Sequence, residues 1–391
     1  MRAAPAGLPR TVWALGIVSL CMDASSELVH SLLPLYLAAG LGASMTMIGI
    51  VEGVAEATAH VVKVFSGTLS DRLGRRKPLL VIGYALAALT KPVFPLAASV
   101  EWVFGARLVD RLGKGIRGAP RDALIADVTP PALRGAAYGL RQALDSVGAF
   151  VGPLLAIGLM LLLANDLRAA LWFATLPALA AMGVLVFAVA EPGRRAPAAG
   201  RHLALRDIRA LSLPFWGIAL LGAVFTLARF SEAFLVLRGD GLGLGLAFAP
   251  AVLVVLGAVY ALVAYPAGLV ADRLGATGLL AAGLLALVVA DLVLASAAGP
   301  TAVLAGAALW GAHLGLTQGL LSKLVADTAP PALVGTAFGL FNLACGAALA
   351  AASVIAGVLW ERVGPAATFH AGAMFAGAAC VGVLCVRAAR R

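Results

Sequence analysis

The chain consists of long apolar stretches separated by short polar segments. An α-helix needs roughly 20 consecutive apolar residues to cross the hydrocarbon core of a bilayer. Twelve stretches reach about this length: 12–37, 45–68, 78–98, 101–125, 134–163, 168–190, 213–237, 245–270, 275–297, 300–326, 333–360 and 365–387. The pattern therefore predicts an all-α membrane protein with twelve transmembrane helices, called predicted spans 1 to 12 below.

The composition excludes a water-soluble fold. Of the 391 residues, 62% are hydrophobic and 12% are charged, whereas soluble domains carry roughly 25% charged residues. The first stretch continues past residue 30 without a small-residue cleavage site, so we expect a true span rather than a signal peptide. Four cysteines, Cys21, Cys345, Cys380 and Cys385, show no metal or redox spacing, and we expect small core residues there.

Positive charge is concentrated on one side of the predicted spans. With an even number of spans, both termini share a side, and the segments on that side carry sixteen arginines and lysines. The opposite loops carry only Arg168, Arg238 and Arg362. The positive-inside rule therefore predicts a multi-pass protein of the bacterial inner membrane with both termini in the cytoplasm. The net charge of +10 is then explained by topology and by contact with an anionic cytoplasmic leaflet, with no nucleic-acid partner.

An internal repeat indicates two related halves. Residues 126–140, ADVTPPALRGAAYGL, match residues 326–340, ADTAPPALVGTAFGL, at ten of fifteen positions with a shift of 200. The segment 67–74, GTLSDRLG, likewise recurs as 268–275, GLVADRLG. We therefore expect two pseudo-symmetric six-helix bundles, 1–190 and 212–391, joined by a cytoplasmic linker at 191–211 that is rich in Pro, Gly and Arg. Paired halves of this kind place a substrate near the midplane at their interface.

Three short motifs in the first half carry a family resemblance. Residues 67–77, GTLSDRLGRRK, resemble the loop signature of the major facilitator superfamily. Residues 107–115, RLVDRLGKG, are similar to a variant of its second signature, with Asp110 and Arg111 in place of Gln and Gly. In predicted span 5 four residues resemble the signature of its proton-driven exporters: Gly139, Gly148, Gly152 and Pro153. Two further glycines of that signature are replaced by Ala156 and Ile157. The resemblance implies the major facilitator fold, alternating access and export.

The loop signature predicts a cytoplasmic gate. Gly67 and Gly74 permit close helix approach and a tight turn, and Asp71 can accept hydrogen bonds from the positive end of a neighbouring helix. The predicted gate comprises Gly67, Asp71, Arg72, Gly74, Arg75, Arg76, Arg117, Arg121 and the repeat residues Asp272 and Arg273. Basic residues of the loop would also contact the anionic leaflet. A basic loop that only sets topology is the alternative.

Charged residues inside the spans predict a polar cavity. A cation at a helix centre costs roughly 2.5–3.5 kcal/mol on insertion scales, so these residues should face protein or water and be paired. On predicted span 4, one helical face carries most of the charge. The predicted cavity for substrate and proton coupling comprises Asp23, Glu27, His30, Glu52, Glu56, Arg107, Asp110, Arg111, Lys114, Arg141, Asp145, Arg229 and Glu232.

Among these residues, we expect Glu27 and Asp23 first to carry a coupling proton. Burial favours the neutral acid, a nearby arginine favours the carboxylate, and substrate binding could shift that balance. A static network of ion pairs is the alternative for each residue.

The leading hypothesis is proton-coupled export of a small organic compound by a monomer through alternating access. The alternative is a carrier of an organic anion, a metal ion or a metal chelate, suggested by the cations of predicted span 4. Neighbouring cations oppose metal entry among the carboxylates and histidines of spans 1 and 2, so we expect no metal site and no cofactor. Catalytic motifs and a phosphate-binding loop are not found, which argues against an enzyme and against ATP-driven transport. A receptor or scaffold is expected to carry an output domain, and the predicted tails and linker are too short for one.

Overall fold

A computed structural model of the chain describes residues 7–191, 193, 211–274, 276–317, 320–330 and 333–389. These residues are helical almost throughout, and no strand occurs within these ranges. The predicted linker at 191–211 lies almost entirely outside the described residues. The boundaries of the two predicted bundles therefore stay predictions.

Eight α-helices make up the first half of the chain. They are α1 (Arg10–Leu35), α2 (Met45–Leu73), α3 (Lys77–Thr90), α4 (Val93–Leu96), α5 (Val100–Val128), α6 (Arg134–Leu162), α7 (Leu167–Trp172) and α8 (Thr175–Ala188). A π-helix at Tyr36–Gly40 extends α1, and a 3₁₀ turn at Pro131–Leu133 precedes α6.

Nine α-helices are described in the second half. They are α9 (Leu213–Leu227), α10 (Ala233–Gly239), α11 (Gly245–Phe248), α12 (Ala251–Leu274), α13 (Ala276–Ser296), α14 (Pro300–Thr317), α15 (Leu320–Thr328), α16 (Val334–Arg362) and α17 (Pro365–Ala389). A π-helix at Asp240–Leu244 follows α10.

Each of the twelve predicted stretches coincides with a helix or with a pair of consecutive helices. Nine of the described helices are long and apolar enough to cross a membrane, which confirms an all-α membrane protein. α5 is not among the nine, because its charged residues interrupt the apolar sequence. Predicted span 7 is divided between α9 and α10, and residues 228–232 form the break. The total of twelve spans stays a prediction.

Local sequence explains where α2 begins and ends. The Ser44 hydroxyl accepts a hydrogen bond from the Met47 amide at 3.2 Å, which satisfies one of the free amides of the first turn. At the other end, Gly74 has φ +61°, a left-handed conformation that glycine adopts without steric cost. The chain therefore reverses there and starts α3 at Lys77. We call the end of the molecule that carries this turn the basic end.

The two halves contact each other closely along α2 and α16. A Cβ atom added at Gly49 would meet the Ser353 carbonyl oxygen, and one added at Gly357 would meet the Met45 carbonyl oxygen. Glycine at these positions lets the two backbones touch, as in other membrane helix pairs. The Thr46 amide also donates to a Glu361 carboxylate oxygen at 3.1 Å. These contacts close the interface at the end away from the basic end.

Two of the exporter-like glycines serve a second close contact, between α1 and α6. A Cβ atom at Gly148 would lie 2.5 Å from the Leu20 carbonyl oxygen, and one at Gly152 would lie 2.7 Å from Glu27 Cβ. Both positions therefore require the absence of a side chain. Gly139 differs, because nothing lies within 4 Å of an added Cβ atom there. Pro153 is buried inside α6.

We predict that Gly49→Ala destabilises the closed end of the interface. The new methyl group would overlap a backbone oxygen, and overpacking of this kind costs about 1–3 kcal/mol. Gly158→Ala on α6 is the matched control, because an added Cβ atom there meets nothing within 4 Å and alanine favours the helix. Thermal unfolding in detergent should show a lower midpoint for Gly49→Ala only. Equal midpoints would contradict the contact.

Candidate functional site

A cavity of about 930 Å³ lies between the two halves of the chain. One wall comes from α1, α2, α5 and α6 and is charged: Asp23, Glu27, Glu56, His60, Lys63, Lys114, Arg117, Arg121, Arg141 and Asp145. The facing wall comes from α12 and α16 and is mainly apolar: Gly257, Ala258, Tyr260, Ala261, Leu262 and Asn342. The cavity thus combines one charged and one apolar wall.

The cavity extends toward the basic end and is closed at the other end. Lys63, Lys114 and Gln142 line it and are exposed. At the opposite end the halves are joined by a hydrogen bond from the Thr46 amide to a Glu361 carboxylate oxygen at 3.1 Å. The structure therefore has access to the cavity from one end.

A group of buried ion pairs lies beside the closed end of the cavity. We call it the central cluster, and it comprises Glu52, Glu56, Lys91, Arg107, Asp110 and Arg111. Arg107 Nη2 lies 2.7 Å from Glu52 Oε2, and Arg111 Nη1 lies 3.0 Å from Glu56 Oε1. These two pairs join α5 to α2. Glu52 is fully buried and Arg107 is 1% exposed, so neither charge is compensated by water.

Asp110 is the common partner of three cations in the central cluster. Its carboxylate lies 2.8 Å from Lys91 Nζ, 3.1 Å from Arg111 Nη2 and 3.9 Å from Arg107 Nη1. Lys91 Nζ also donates to the Ser26 hydroxyl oxygen at 3.1 Å. Buried charges are tolerated when paired and hydrogen-bonded in this way. Asp110 therefore ties α3, α5 and, through Lys91, α1 together.

His30 extends the central cluster to the second half. Its Nδ1 atom lies 2.9 Å from Arg107 Nη2 and 3.6 Å from Glu52 Oε2. Its Nε2 atom lies 3.7 Å from Glu232 Oε2. Glu232 stands at the break between α9 and α10, which brings this carboxylate toward α1. Arg229, at the same break, stacks over the Phe225 ring at 5.7 Å.

A second group of charged residues lies closer to the basic end. We call it the basic-end cluster, and it comprises Arg121, Asp122, Arg141 and Asp145, together with the Ser19 hydroxyl that contacts them. Arg141 Nη2 lies 2.6 Å from Asp145 Oδ2, and Arg121 Nη1 lies 2.9 Å from Ser19 Oγ and 3.6 Å from Asp145 Oδ1. The cluster joins α1, α5 and α6. The charged face of α5 is thus divided by depth into two separate groups.

Arg117 lies between the two clusters. Its guanidinium stacks over the Tyr84 ring at 4.7 Å, a cation–π contact, and its side chain is buried. Arg117 is therefore packed against α3 as well as lining the cavity. The sequence grouped it with the gate, and its position is one turn deeper than Arg121.

The loop at the basic end is ordered by Arg76. Its guanidinium lies 2.6 Å from Asp71 Oδ1, 2.6 Å from Ser70 Oγ and 3.4 Å from Asp127 Oδ2. The first turn of α3 is capped instead by Glu191, whose carboxylate accepts hydrogen bonds from the Arg76 amide and, at 3.1 Å, from the Lys77 amide. We expected Asp71 to bind a helix N-terminus, but its carboxylate pairs with Arg76 because the turn at residue 74 folds that side chain back over α2.

The remaining predicted gate residues take part in fewer described contacts. Arg72 and Arg75 are exposed. Gly67 faces α5, where a Cβ atom would lie 3.4 Å from Ala119 Cβ. The side chains of Asp272 and Arg273 lie outside the described residues.

Two carboxylates and one ammonium of the cavity wall are left without a close partner. Asp23, Glu27 and Lys114 line the cavity. Among the described residues, no oppositely charged group lies within 4 Å of any of the three. A ligand or a proton can therefore reach them without breaking an existing pair. Within the described ranges, no group of three His, Cys, Asp or Glu side chains could hold a metal ion.

The second half contains a counterpart of the Lys91–Asp110 pair that sequence reasoning missed. At the repeat shift of 200, Lys91 corresponds to Asp291 and Asp110 corresponds to Trp310. Trp310 Nε1 donates to Asp291 Oδ1 at 2.9 Å, and Asp291 is fully buried. The ion pair of the first half is thus replaced in the second half by one hydrogen bond, whose donor is an uncharged indole N–H group. The repeat itself was the signal that could have revealed it.

A cavity between two halves made of long apolar helices is typical of membrane transporters. A profile of the Major Facilitator Superfamily matches residues 15–353, and the chain belongs to this family. An uncharacterized MFS-type transporter of Methanocaldococcus jannaschii is 29% identical over 375 residues, which is 94% of this chain and 93% of that protein.

Two further proteins are similar to this chain, one in sequence over part of its length and one in fold. Multidrug resistance protein MdtH of Proteus mirabilis is 31% identical over 121 residues, covering 31% of this chain and 30% of that protein. The crystal structure of peptide transporter POT in complex with sulfate aligns with a TM-score of 0.80 and 15% identity, covering 99% of this chain and 95% of that chain. At this identity the structural likeness shows the fold alone.

The Lys91–Asp110 and Asp291–Trp310 pairs each contain one carboxylate, and we predict that neutralising these two carboxylates has unequal effects. Asp110→Asn removes the negative charge that three buried cations share. Breaking a buried ion pair in this way lowers the stability by about 3–5 kcal/mol. Asp291→Asn keeps an acceptor oxygen for Trp310, so the loss should be at most about 1 kcal/mol. Thermal unfolding in detergent measures both variants side by side. Equal destabilisation would show that the central cluster is not held by charge balance around Asp110.

Proposed function

We propose that the chain is a proton-coupled exporter of a small organic compound that works by alternating access. The observation that carries the proposal is the cavity between the halves, which has one charged wall and is closed at one end. Substrate sites between paired halves are exposed to each side in turn by rocking of the halves. The partial similarity to a multidrug resistance protein favours export.

The charge distribution supports an orientation with the basic end in the cytoplasm. The loop at residues 72–77 concentrates arginine and lysine, and such residues stay on the cytoplasmic side of inner membranes. They would contact the anionic leaflet there. In this orientation both termini are cytoplasmic, and the cavity has the inward-facing access that an exporter needs to collect its substrate.

Glu27 is our first candidate for the coupling proton, with Asp23 beside it. Both line the cavity without an ion pair within 4 Å among the described residues, so neutralisation by a proton breaks no contact there. Glu52, Glu56 and Asp110 differ, because each is held by arginine or lysine in the central cluster. The paired carboxylates serve the scaffold, and the unpaired ones are available for coupling.

The two walls favour a substrate with both polar and apolar parts. An apolar surface of the substrate would pack against Tyr260 and Leu262, while its polar group would face Glu27 or Lys114. An organic anion carrier is the second candidate, favoured by Lys63 and Lys114, which are exposed in the cavity. A thermal-shift screen of organic cations, organic anions and metal chelates would separate these classes.

The loop at the basic end is proposed as the cytoplasmic gate. Arg76 connects the end of α2 to Asp127 at the end of α5, and Glu191 connects α3 to the segment after α8. These contacts would hold the basic ends of four helices of the first half together as the cavity closes there. Arg121 of the basic-end cluster lies beside this group and would act in the same movement.

We predict that Glu27→Gln abolishes proton-driven flux in proteoliposomes but preserves substrate-for-substrate exchange. Exchange does not require release of the proton, and glutamine keeps the size of the side chain. Glu101→Gln is the matched control, because Glu101 is exposed at the start of α5, away from the cavity. The substrate is the best ligand from the thermal-shift screen.

Three results decide between the assignments. Loss of driven flux with retained exchange supports Glu27 as the proton carrier. Unchanged pH-dependent flux in Glu27→Gln contradicts that assignment and points to Asp23. Flux in the unmodified protein that does not respond to a proton gradient contradicts proton coupling altogether.

A further inference from the structure

His30 stands where the two halves meet at the closed end of the cavity. We infer that His30 is a proton-binding site between the halves, and that a proton bound there holds the cavity closed at the end opposite the basic end. The inference rests on the proposed function, and it adds a titrating group distinct from Glu27. It also assigns a direction to the coupling.

The contact with Arg107 fixes the hydrogen on the ring. A guanidinium can only donate hydrogen bonds, so the 2.9 Å contact between Arg107 Nη2 and His30 Nδ1 requires a lone pair on Nδ1. The hydrogen of the neutral ring is therefore on Nε2, which faces Glu232 Oε2 at 3.7 Å. The structure matches the neutral form of His30 with a weak contact across the interface.

A second proton on the ring would rearrange these contacts. An Nδ1–H group cannot face the Arg107 N–H, and the nearest acceptor for it is Glu52 Oε2 at 3.6 Å. The other oxygen of this carboxylate, Glu52 Oε1, is buried without a hydrogen-bond partner, so a rotation of the carboxylate could offer it to the ring. The charges would then alternate along Arg107, Glu52, His30 and Glu232, and charge-assisted hydrogen bonds are shorter and stronger than neutral ones.

The groups that face the ring compensate a positive charge. Glu52 and Glu56 come from α2, Glu27 from α1 itself, and Glu232 from the break in the second half. The facing cation is Arg107 of α5, and Arg229 at the break acts electrostatically on Glu232. Carboxylates therefore predominate around His30, from both halves of the chain.

The contact with Glu232 exists only while this end of the interface is closed. Opening the cavity there would move the break between α9 and α10 away from α1, and the charged ring would lose one carboxylate partner. Proton binding and closure of this end therefore favour each other, since coupling between two equilibria is reciprocal. A proton taken up from outside would return the cavity to the basic end, where an exporter collects its substrate.

The experiment measures access to the cavity at different pH values. The four native cysteines are replaced by serine, and Ser146→Cys on the cavity wall is labelled in proteoliposomes by an impermeant thiol reagent supplied from the side opposite the basic end. We expect labelling to fall roughly fivefold or more from alkaline to acidic pH. A fivefold effect is the lower end of the range by which one binding equilibrium changes another. His30→Gln should remove this pH dependence.

Two further variants make the test specific. His370→Gln is the matched control, because His370 is exposed on α17 and is not among the residues that line the cavity, and it should keep the pH dependence. Glu232→Gln should raise labelling at acidic pH toward the alkaline value. This variant keeps the inference testable if His30→Gln does not fold.

The outcomes separate the inference from the proposed function. Persistent pH dependence of labelling in His30→Gln, or unchanged acidic labelling in Glu232→Gln, overturns the role of His30 while leaving proton-driven flux intact. Absence of proton-driven flux in the unmodified protein overturns the proposed function itself.

Discussion

The compensation of buried charge around Asp110 is the constraint on which the rest of the structure depends. α5 contributes two buried arginines and a buried aspartate to the central cluster, where neither water nor lipid can stabilise their charges. The charges are balanced by Glu52 and Glu56 from α2 and by Lys91, the residue directly after α3. Removing any one partner leaves a charge stranded in a medium of low dielectric, so these helices are fixed relative to one another.

The same cluster connects the first half to the interface with the second half. Arg107 contacts Glu52 within the first half and His30 beside the second half, so a change of charge at the interface reaches the buried pairs directly. The second half has no comparable cluster among its described residues, and the Trp310–Asp291 hydrogen bond replaces the ion pair at the matching position. The first half thus presents a charged wall to the cavity, and the second half presents a mainly apolar one.

Much of the architecture follows from one-dimensional patterns. Apolar length located the helices, and helical periodicity placed Arg107 and Arg121 at different depths on one face of α5. The break at residues 228–232, the pairing of Asp71 with Arg76 and the contact of Lys91 with Asp110 were not predicted. These features depend on which helices become neighbours, and neighbours are set by long-range packing that no local period encodes. The repeat shift of 200 was the one sequence signal that linked such distant positions.

Reciprocal movement of the two ends is the central claim, and distances between spin labels test it most directly. One pair, Met47→Cys with Val363→Cys, spans α2 and α16 at the closed end. The other, Tyr138→Cys with Tyr265→Cys, spans α6 and α12 toward the basic end. When pH changes the populations, we predict that the first distance lengthens in the same fraction of molecules in which the second shortens. Distances that lengthen together, or populations that vary independently, would contradict alternating access to one cavity.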